Sequence, residues 1–417
     1  MKELLVYADF DFLPSAEKTG VLRFDMVRGN EVYSFSFDPE WLARHGAIGF
    51  GEDLLSVPGI QYGNGGIFAC FSDALPDRWG KMLAEKREAI GAHQEHRPPR
   101  KLTSFDYLLS VDDFMRMGGF RFKESEAGPY LNDSEALRVP PLARLHELVE
   151  AADAVERSEE QGRLPEEKWL AQLLNPGSSL GGARPKANVI DADRQLCVAK
   201  FPSRQDRYDV ALWEHFFHLL AKQCGVTVAE TGIVATRKKH HTLLSRRFDR
   251  ARSGRRIHYA SAMTLLGLRD GAGASDGKGY LDIVDFILRA CPDTDWMLEE
   301  LFRRVVFNVC AGNSDDHFRN HGFLLSSKGW CLAPAFDLNP SLSQAQSLMI
   351  TETTNEADPD ALIAAHDAYF LSKQRAEEIV MSVRKGLSRW PSLAHYLKIP
   401  AAEVSLFEAR LNQFLLK

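Results

Sequence analysis

The spacing of apolar residues changes character along the chain. Residues 1 to about 70 contain runs that alternate or cluster strand-forming residues, such as 20–25 and 31–37, separated by Arg28-Gly29-Asn30. A period of two is typical of half-buried strands, and glycine with asparagine between two such runs predicts a tight turn. The pattern therefore predicts a β-rich N-terminal part, followed by a helix over residues 73–90.

Beyond residue 141 the pattern favours helices, with one short β segment among them. Helical spacing is visible over 142–155 and 166–174, whereas 187–201 contains two runs that predict strands. From Tyr208 onward the chain is mainly helical, and the apolar residues of 296–310 recur at three- and four-residue spacing before Gly312. We therefore expect an α+β fold with a β-rich N-terminal part and a mainly α-helical C-terminal lobe.

Composition narrows the classes of protein that need to be considered. The chain has 417 residues, 45% hydrophobic and 26% charged, with a net charge of −6, which gives no general affinity for nucleic acid or anionic membrane. Its six cysteines form no C-x-x-C pair, and no apolar run approaches the roughly 20 residues of a membrane span. The first residues carry acids where a signal peptide needs an apolar run, so we expect a cytoplasmic protein with no membrane partner.

The most informative stretch is the polar segment 312–321, which follows the apolar helix. It leads into two short apolar runs with Ser327-Lys328-Gly329 between them, which predict a hairpin. Asp315 and Asn320 stand five residues apart, as in the D-x-x-x-x-N of a kinase catalytic loop, and Asp337 follows one hairpin later. Phosphoryl transfer needs these residue types: one carboxylate orients the attacking hydroxyl, while an amide oxygen and a second carboxylate hold Mg²⁺.

Two other interpretations of this segment remain open. Aspartate and asparagine in loops often cap helices or stabilise turns without any catalytic role. His317 and His321 are four residues apart, as in a zinc site, but Phe318 stands where the H-E-x-x-H pattern needs a glutamate, and no third ligand is evident.

A second candidate region is the glycine-rich segment 178–186, which precedes the predicted strands. Paired glycines such as Gly181 and Gly182 allow backbone N–H groups to approach phosphate oxygens, and Lys186 adds positive charge. Lys200 lies on a strand and Glu214 on the next helix, an arrangement with which kinases fix the nucleotide phosphates. A plain surface loop, an exposed lysine and an exposed glutamate are the alternatives.

A basic run over residues 237–256 contains candidate adenine contacts. Arg247 and Phe248 lie within it, and Phe248 together with Phe336 could hold an adenine ring between them. The alternatives without a nucleotide role are a solvent-exposed basic surface and two aromatic residues of the hydrophobic core.

Taken together, these motifs resemble one known family. The chain is similar to HipA-type serine/threonine kinases of type II toxin–antitoxin systems in the order of five motifs: Ser178-Ser-Leu-Gly-Gly-Ala-Arg-Pro-Lys186, Ala199-Lys-Phe-Pro202, Arg246-Arg-Phe-Asp-Arg250, Asn313-Ser-Asp-Asp-His-Phe-Arg-Asn-His321 and Ala335-Phe-Asp-Leu-Asn-Pro-Ser341. The segments around Phe35 and Asp73 resemble the N-terminal part of the same family.

The resemblance implies a kinase-like fold with three parts: a β-rich domain over 1–110, a nucleotide-binding lobe over 111–245 and a helical catalytic lobe over 246–417. It implies that Asp315 is the catalytic base, that Asn320 and Asp337 bind Mg²⁺, and that Lys200 contacts the phosphates of ATP. Residues implied to surround the nucleotide are Ser179, Gly181, Gly182, Ala183, Lys186, Arg247, Phe248 and Phe336.

The resemblance also implies regulation and partners. Ser179 occupies the position that is autophosphorylated in the family, although the sequence does not decide between Ser178 and Ser179. A small helix-turn-helix antitoxin of the HipB type is the implied partner, with DNA reached only through it. The implied protein substrate is a translation component such as an aminoacyl-tRNA synthetase.

One departure from the family concerns the residue before Arg247. Some relatives carry a glutamate that can accept a hydrogen bond from adenine, whereas this chain has Arg246, which cannot accept one. Two further hypotheses stay open: a catalytically weak corepressor that acts with a DNA-binding partner, and a kinase for a lipid or small molecule.

Overall fold

The computed structural model describes residues 1–133, 139–174, 182–236 and 239–415, and Ser179 and Gly181 lie outside them. The chain forms two compact units, one made of Met1–Asp206 with Leu244–Ala260 and the other of Arg207–Leu243 with Ser261–Lys417. Within the described residues, no helix is both long and apolar enough to cross a membrane.

Up to residue 206, the described part of the first unit contains seven strands and six α-helices. They are β1 (Lys2–Ala8), β2 (Glu17–Val27), β3 (Asn30–Phe37), α1 (Pro39–His45), β4 (Ile60–Tyr62), α2 (Ala69–Ser72), α3 (Arg78–Gln94), α4 (Ser104–Ser110), β5 (Phe120–Lys123), α5 (Leu145–Glu160), α6 (Glu167–Leu174), β6 (Lys186–Ile190) and β7 (Leu196–Lys200).

The predicted β-rich N-terminal part is an antiparallel sheet of five strands in the order β4-β3-β2-β1-β5. Strands β2 and β3 are joined at Val27 and Asn30 by a two-residue turn, in which Arg28 and Gly29 have φ angles of 53° and 83°. Both angles lie in the left-handed region that such hairpin turns require, so this turn is confirmed. The inward side of the sheet carries a cluster of buried phenylalanines.

The helix predicted over residues 73–90 begins later than expected. Helix α3 starts at Arg78, because Pro76 disfavours helical geometry at the residue before it and the Asp77 side chain caps the helix by accepting a bond from Gly80 N. The prediction for residues 73–77 is therefore wrong, although the helix itself is confirmed.

The second unit is mainly helical, as predicted. Its elements are α7 (Val210–Gln223), β8 (Thr231–Val234), α8 (Ala262–Leu265), α9 (Tyr280–Ala290), α10 (Thr294–Ala311), β11 (Gly322–Ser326), β12 (Gly329–Leu332), α11 (Pro359–Ala364), α12 (Lys373–Leu387), α13 (Trp390–Tyr396) and α14 (Ala401–Asn412). The strands β9 (Thr242–Arg246) and β10 (His258–Ser261) each contain residues of both units.

Helix α10 forms the centre of this second unit. Most of its side chains between Met297 and Ala311 are buried, so the helix is a rigid support for the polar segment 312–321 that follows it. It ends at Gly312, whose φ of 89° lies in the left-handed region that favours glycine at a helix C-terminus. The predicted hairpin after it is confirmed as β11 and β12, paired antiparallel from Phe323 opposite Leu332 to Ser326 opposite Gly329.

Candidate active site

The polar segment between α10 and β11 is a short loop, residues 313–321, that we call the catalytic loop after the role that the sequence predicts for it. It is fixed at its start by Gly312 N and Asn313 N, which both donate to the Asn308 carbonyl. Near its end, residues 318–320 form one turn of 3-10 helix, in which Asn320 N donates to the His317 carbonyl over 2.8 Å. A loop held at both ends between a buried helix and a hairpin can keep its side chains in fixed directions.

The catalytic loop brings the two predicted residues Asp315 and Asn320 together. Asn320 Nδ2 donates to the Asp315 carbonyl over 3.3 Å, so the amide of Asn320 turns back over the loop. The Asp315 side chain is exposed, whereas Asn320 is buried. This burial and hydrogen bond orient the Asn320 amide relative to the loop.

Asp337 lies on the segment after β12, which is hydrogen-bonded to the catalytic loop. Ser341 N donates to the Gly312 carbonyl over 2.7 Å, and Asn339 N donates to Asn313 Oδ1 over 3.3 Å. Asp337 has a φ of 58°, an uncommon conformation for a residue with a side chain, which the surrounding structure has to maintain. The fold therefore places Asp315, Asn320 and Asp337 on two adjoining segments of one unit.

A buried carboxylate that the sequence analysis did not single out lies directly after Asp315. Asp316 Oδ2 accepts hydrogen bonds from Tyr280 Oη, Asn308 Nδ2 and His321 Nε2, each over 2.7 Å. Burial alone would raise the pKa of Asp316, but the neighbouring His321 ring and these donors hold that pKa below its usual value. The sequence signal was the Asp315-Asp316 pair, of which only the first residue fits the kinase spacing.

The donors available for a metal ion are those that Mg²⁺ prefers. Asn320 and Asp337 offer an amide oxygen and a carboxylate, and magnesium is often held by only one or two protein ligands together with phosphates and water. The zinc interpretation loses support, because His321 Nε2 is bonded to Asp316. Nor do the described ranges contain a group of three or more histidine, cysteine or acidic side chains able to hold a metal.

Part of the predicted phosphate segment falls within the described residues. Gly182 and Ala183 are exposed, and Gly182 has a φ of 86°, a conformation that favours glycine. The carbonyl of Gly182 accepts hydrogen bonds from Trp79 N over 3.3 Å and from Lys186 Nζ over 3.1 Å. The C-terminal end of the glycine-rich segment is thus held against the start of α3.

Lys186, predicted to contact phosphate, forms a buried ion pair with Asp77. Nζ lies 2.8 Å from Asp77 Oδ2, and both side chains are only 1% exposed. Burial raises the pKa of Asp77, and the Lys186 charge offsets part of that effect. The ammonium group therefore anchors the glycine-rich segment, and a phosphate contact of Lys186 stays a prediction that this pairing does not favour.

Lys186 and Lys200 lie directly opposite each other where β6 pairs with β7. Side chains at opposite positions of an antiparallel pair point to the same side, and like charges there are destabilising unless anions are near. Asp77 supplies one such anion for Lys186. Lys200 is half-buried at the end of β7, and Glu214 is buried in α7 of the other unit, so their predicted pairing stays a prediction.

Arg247 is placed differently from what the nucleotide prediction supposes. Its buried guanidinium donates to both oxygens of Asp249 over 2.8 and 2.6 Å, to the Met115 carbonyl over 2.6 Å and to Asn188 Oδ1 over 3.0 Å. Since these hydrogen bonds occupy the N–H donors of the planar guanidinium group, the side chain stabilises the fold of the first unit. A side-chain contact of Arg247 with a nucleotide stays untested, and its hydrogen bonds argue against it.

The two aromatic residues predicted to hold adenine are both half-buried. Phe248 belongs to the first unit and its ring lies 6.0 Å from that of Tyr259, whereas Phe336 belongs to the second unit, directly before Asp337. The adenine contact of these residues stays a prediction.

Comparison with solved structures identifies the class of fold. The chain is similar over 99% of its length, and over 96% of the other chain, to HipA in a complex of HipA, HipB and operator DNA from Shewanella oneidensis MR-1, with a TM-score of 0.68 and 18% identity. The α+β fold is therefore the kinase-like HipA fold, as the sequence predicted.

Comparison of sequences then identifies the family. A model described as the HipA-like C-terminal domain matches residues 178–390, about half of the chain, and the chain belongs to that family. It is 27% identical over 179 residues to a candidate kinase of Haemophilus influenzae, covering 39% of this chain and 52% of that protein. It is 23% identical over 254 residues to the serine/threonine-protein kinase toxin HipA of Shewanella oneidensis, covering 54% and 57% respectively. The chain thus spans about half the length of the curated relatives that it matches.

Proposed function

We propose that this chain is an ATP- and Mg²⁺-dependent serine/threonine protein kinase, the toxin of a type II toxin–antitoxin pair. The observation that carries the proposal is the hydrogen-bonded junction between the catalytic loop, which contains Asp315 and Asn320 at kinase spacing, and the segment that contains Asp337. Membership of the HipA-like family and the names of its relatives support the same activity.

In the proposed reaction, Asp315 orients the attacking hydroxyl of a serine or threonine. The hydroxyl oxygen forms a bond to the γ-phosphorus of ATP, the bond from that phosphorus to the β–γ bridging oxygen breaks, and Asp315 accepts the hydroxyl proton. ADP leaves as the other product. Asn320 and Asp337 would hold Mg²⁺, which neutralises the charge on the phosphates when it is bound.

Lys200 and the glycine-rich segment have supporting roles in this proposal. Lys200 contacts the phosphates, and the glycine-rich segment that ends at Lys186 supplies backbone N–H groups. Autophosphorylation of Ser179 within that segment is part of the proposal, as are a HipB-like helix-turn-helix antitoxin and a translation component, such as an aminoacyl-tRNA synthetase, as substrate. The Shewanella protein of similar fold was solved together with HipB and operator DNA, which supports a partner of that kind.

Incubation of the purified chain with γ-labelled ATP and Mg²⁺ tests the activity. We expect label in the chain itself or in a protein substrate, no label with Asp315→Asn, and phosphopeptides that contain Ser178 or Ser179. Equal labelling of wild type and Asp315→Asn would refute the assignment of the base. A complete lack of transfer by the wild type, together with tight antitoxin binding, would instead favour the corepressor hypothesis.

A further inference from the structure

The side chain of Asp316 connects three elements of the second unit at one oxygen atom. Tyr280 is the first residue of α9, Asn308 lies in the last turns of α10, and His321 ends the catalytic loop. A carboxylate that is 4% exposed is costly to bury unless hydrogen bonds replace its water, and here three donors do so. The polar cluster therefore specifies one position for the loop.

The positions of the residues in this cluster relate it to the chemistry. Asp316 directly follows the candidate base Asp315, and His321 directly follows the candidate metal ligand Asn320. The bond of 2.7 Å between Asp316 and His321 thus joins the two ends of the segment that carries both functional side chains. Moving either end would redirect the neighbouring functional residue.

Asn308 extends the same network to the second segment of the site. Its Nδ2 donates to Asp316, and its Oδ1 accepts a bond of 3.0 Å from Asn313 Nδ2. Asn313 Oδ1 accepts from Asn339 N, and Asn339 Nδ2 donates to Asp337 Oδ1 over 3.1 Å. A continuous chain of hydrogen bonds therefore runs from Asp316 through three asparagines to Asp337.

We propose that Asp316 and Asn308 are positioning residues for phosphoryl transfer, which fix Asp315, Asn320 and Asp337 relative to one another through this chain. The inference rests on the proposed kinase activity and adds to it the residues that hold the catalytic groups in place. In the proposed mechanism neither residue contacts the reacting atoms. Because displacements of about 1 Å at a reacting centre can cost on the order of 100-fold in rate, loosening the chain lowers kcat more than it weakens nucleotide binding.

A matched pair of variants separates positioning from general support of the fold. Tyr280→Phe removes one donor to Asp316 and keeps the ring, whereas Tyr369→Phe removes another buried hydroxyl of the same unit, which donates to the Ile350 carbonyl instead. We expect Tyr280→Phe to lower kcat about 10-fold with the KM for ATP changed less than about twofold, and Tyr369→Phe to leave both within about twofold. Asp316→Asn, if it folds, is expected to lower kcat further.

Hydrogen–deuterium exchange of the peptides that cover residues 313–321 gives a readout that does not depend on activity. We expect faster exchange there in Tyr280→Phe than in Tyr369→Phe or the wild type. Equal exchange in all three proteins, or equal kcat for Tyr280→Phe and an active wild type, overturns the positioning role. Failure of the proposed function is seen separately, as absence of transfer by the wild type, and the exchange comparison then still decides whether the cluster fixes the loop.

Discussion

Asn339 Nδ2 donates a hydrogen bond of 3.1 Å to the carboxylate of Asp337, two residues before it. Asp337 has a backbone conformation that few residues with side chains adopt, so its carboxylate needs such a local support to keep one direction. The backbone N–H of Asn339 is at the same time bonded to Asn313 of the catalytic loop. Asn339 therefore links the proposed metal ligand to the loop of the proposed base.

Replacing Asn339 is expected to change the Mg²⁺ requirement of the proposed kinase. In Asn339→Ala the Asp337 carboxylate loses the donor that orients it, so we expect the Mg²⁺ concentration for half-maximal rate to rise about 10-fold, the lower end of the range for partners of metal ligands. The measurement is the initial rate of phosphate transfer against Mg²⁺ at saturating ATP. Asn412→Ala, which removes a side-chain amide bonded to Trp390 in the same unit, serves as the control. The same Mg²⁺ curve for both variants would contradict the role of Asn339.

The buried pair of Asp77 and Lys186 leads to a prediction about stability. Asp77→Asn keeps the capping of α3, since asparagine is also a good N-cap, but removes the carboxylate charge that pairs with the buried Lys186 ammonium. We expect a loss of about 3 kcal/mol in the free energy of unfolding, measured by urea titration, because removal of one partner from a buried pair is strongly destabilising.

Two further variants control for this interpretation. Asp77→Asn combined with Lys186→Met should recover much of the loss, because both charges of the buried pair are then removed. Glu147→Gln, which breaks the exposed pair with Arg144, should cost no more than about 1 kcal/mol. If the double variant is as unstable as Asp77→Asn, loss of the Asp77 charge beside Lys186 is not the cause.

The parts of the site that lie close together in sequence could be predicted from it. The apolar spacing of α10, the glycine that ends it and the hairpin after it are local signals, and they place Asp315 and Asn320 on one short loop. Asp337 could be added because one hairpin is a short and regular connection. Helix and turn signals were sufficient to place these three residues in the fold, whereas their roles in catalysis and metal binding stay a prediction.

Pairings over long sequence separations could not be predicted in this way. Asp77 and Lys186 are 109 residues apart, and no periodicity relates a helix cap to a lysine on a distant strand. Arg247 has the residue type of a phosphate ligand, but its guanidinium donates hydrogen bonds to Met115, Asn188 and Asp249. Two of these residues lie far away in sequence. Asp316 was passed over because the kinase spacing selects its neighbour, while its own three partners come from separate elements.

The hydrogen bonds of Arg247 give a prediction that tests the nucleotide role directly. Arg247→Lys removes the planar guanidinium group, so several buried acceptors lose their donors and Asp249 loses its bidentate partner. We expect the free energy of unfolding to fall by about 3 kcal/mol, while the KM for ATP of the folded enzyme changes less than about twofold. Urea titration and steady-state kinetics measure the two quantities. A tenfold rise in KM at unchanged stability would instead support a nucleotide contact.

A last prediction concerns the dependence of stability on pH. His258 is 3% exposed, its ring stacks on Phe10 at 4.7 Å, and its Nδ1 accepts a bond from Gly119 N. Burial lowers the pKa of His258 to about 3, so the folded protein keeps the ring neutral, whereas the unfolded chain takes up a proton below about pH 6.5. The unfolded state therefore binds more protons between these two values, and stability falls as the pH falls.

Through His258 alone, the free energy of unfolding is expected to fall by about 2 kcal/mol between pH 7 and pH 5. His258→Gln cannot take up the proton on unfolding, so we expect its free energy of unfolding to fall by about 2 kcal/mol less than that of the wild type over the same range. Urea titrations at pH 7, 6 and 5 measure the difference, and replacement of the exposed His146 by glutamine is the matched control. Parallel curves of unfolding free energy against pH for the wild type and His258→Gln would mean that His258 is not the group responsible. If His258 is responsible, the wild type loses stability more steeply than the variant as the pH falls.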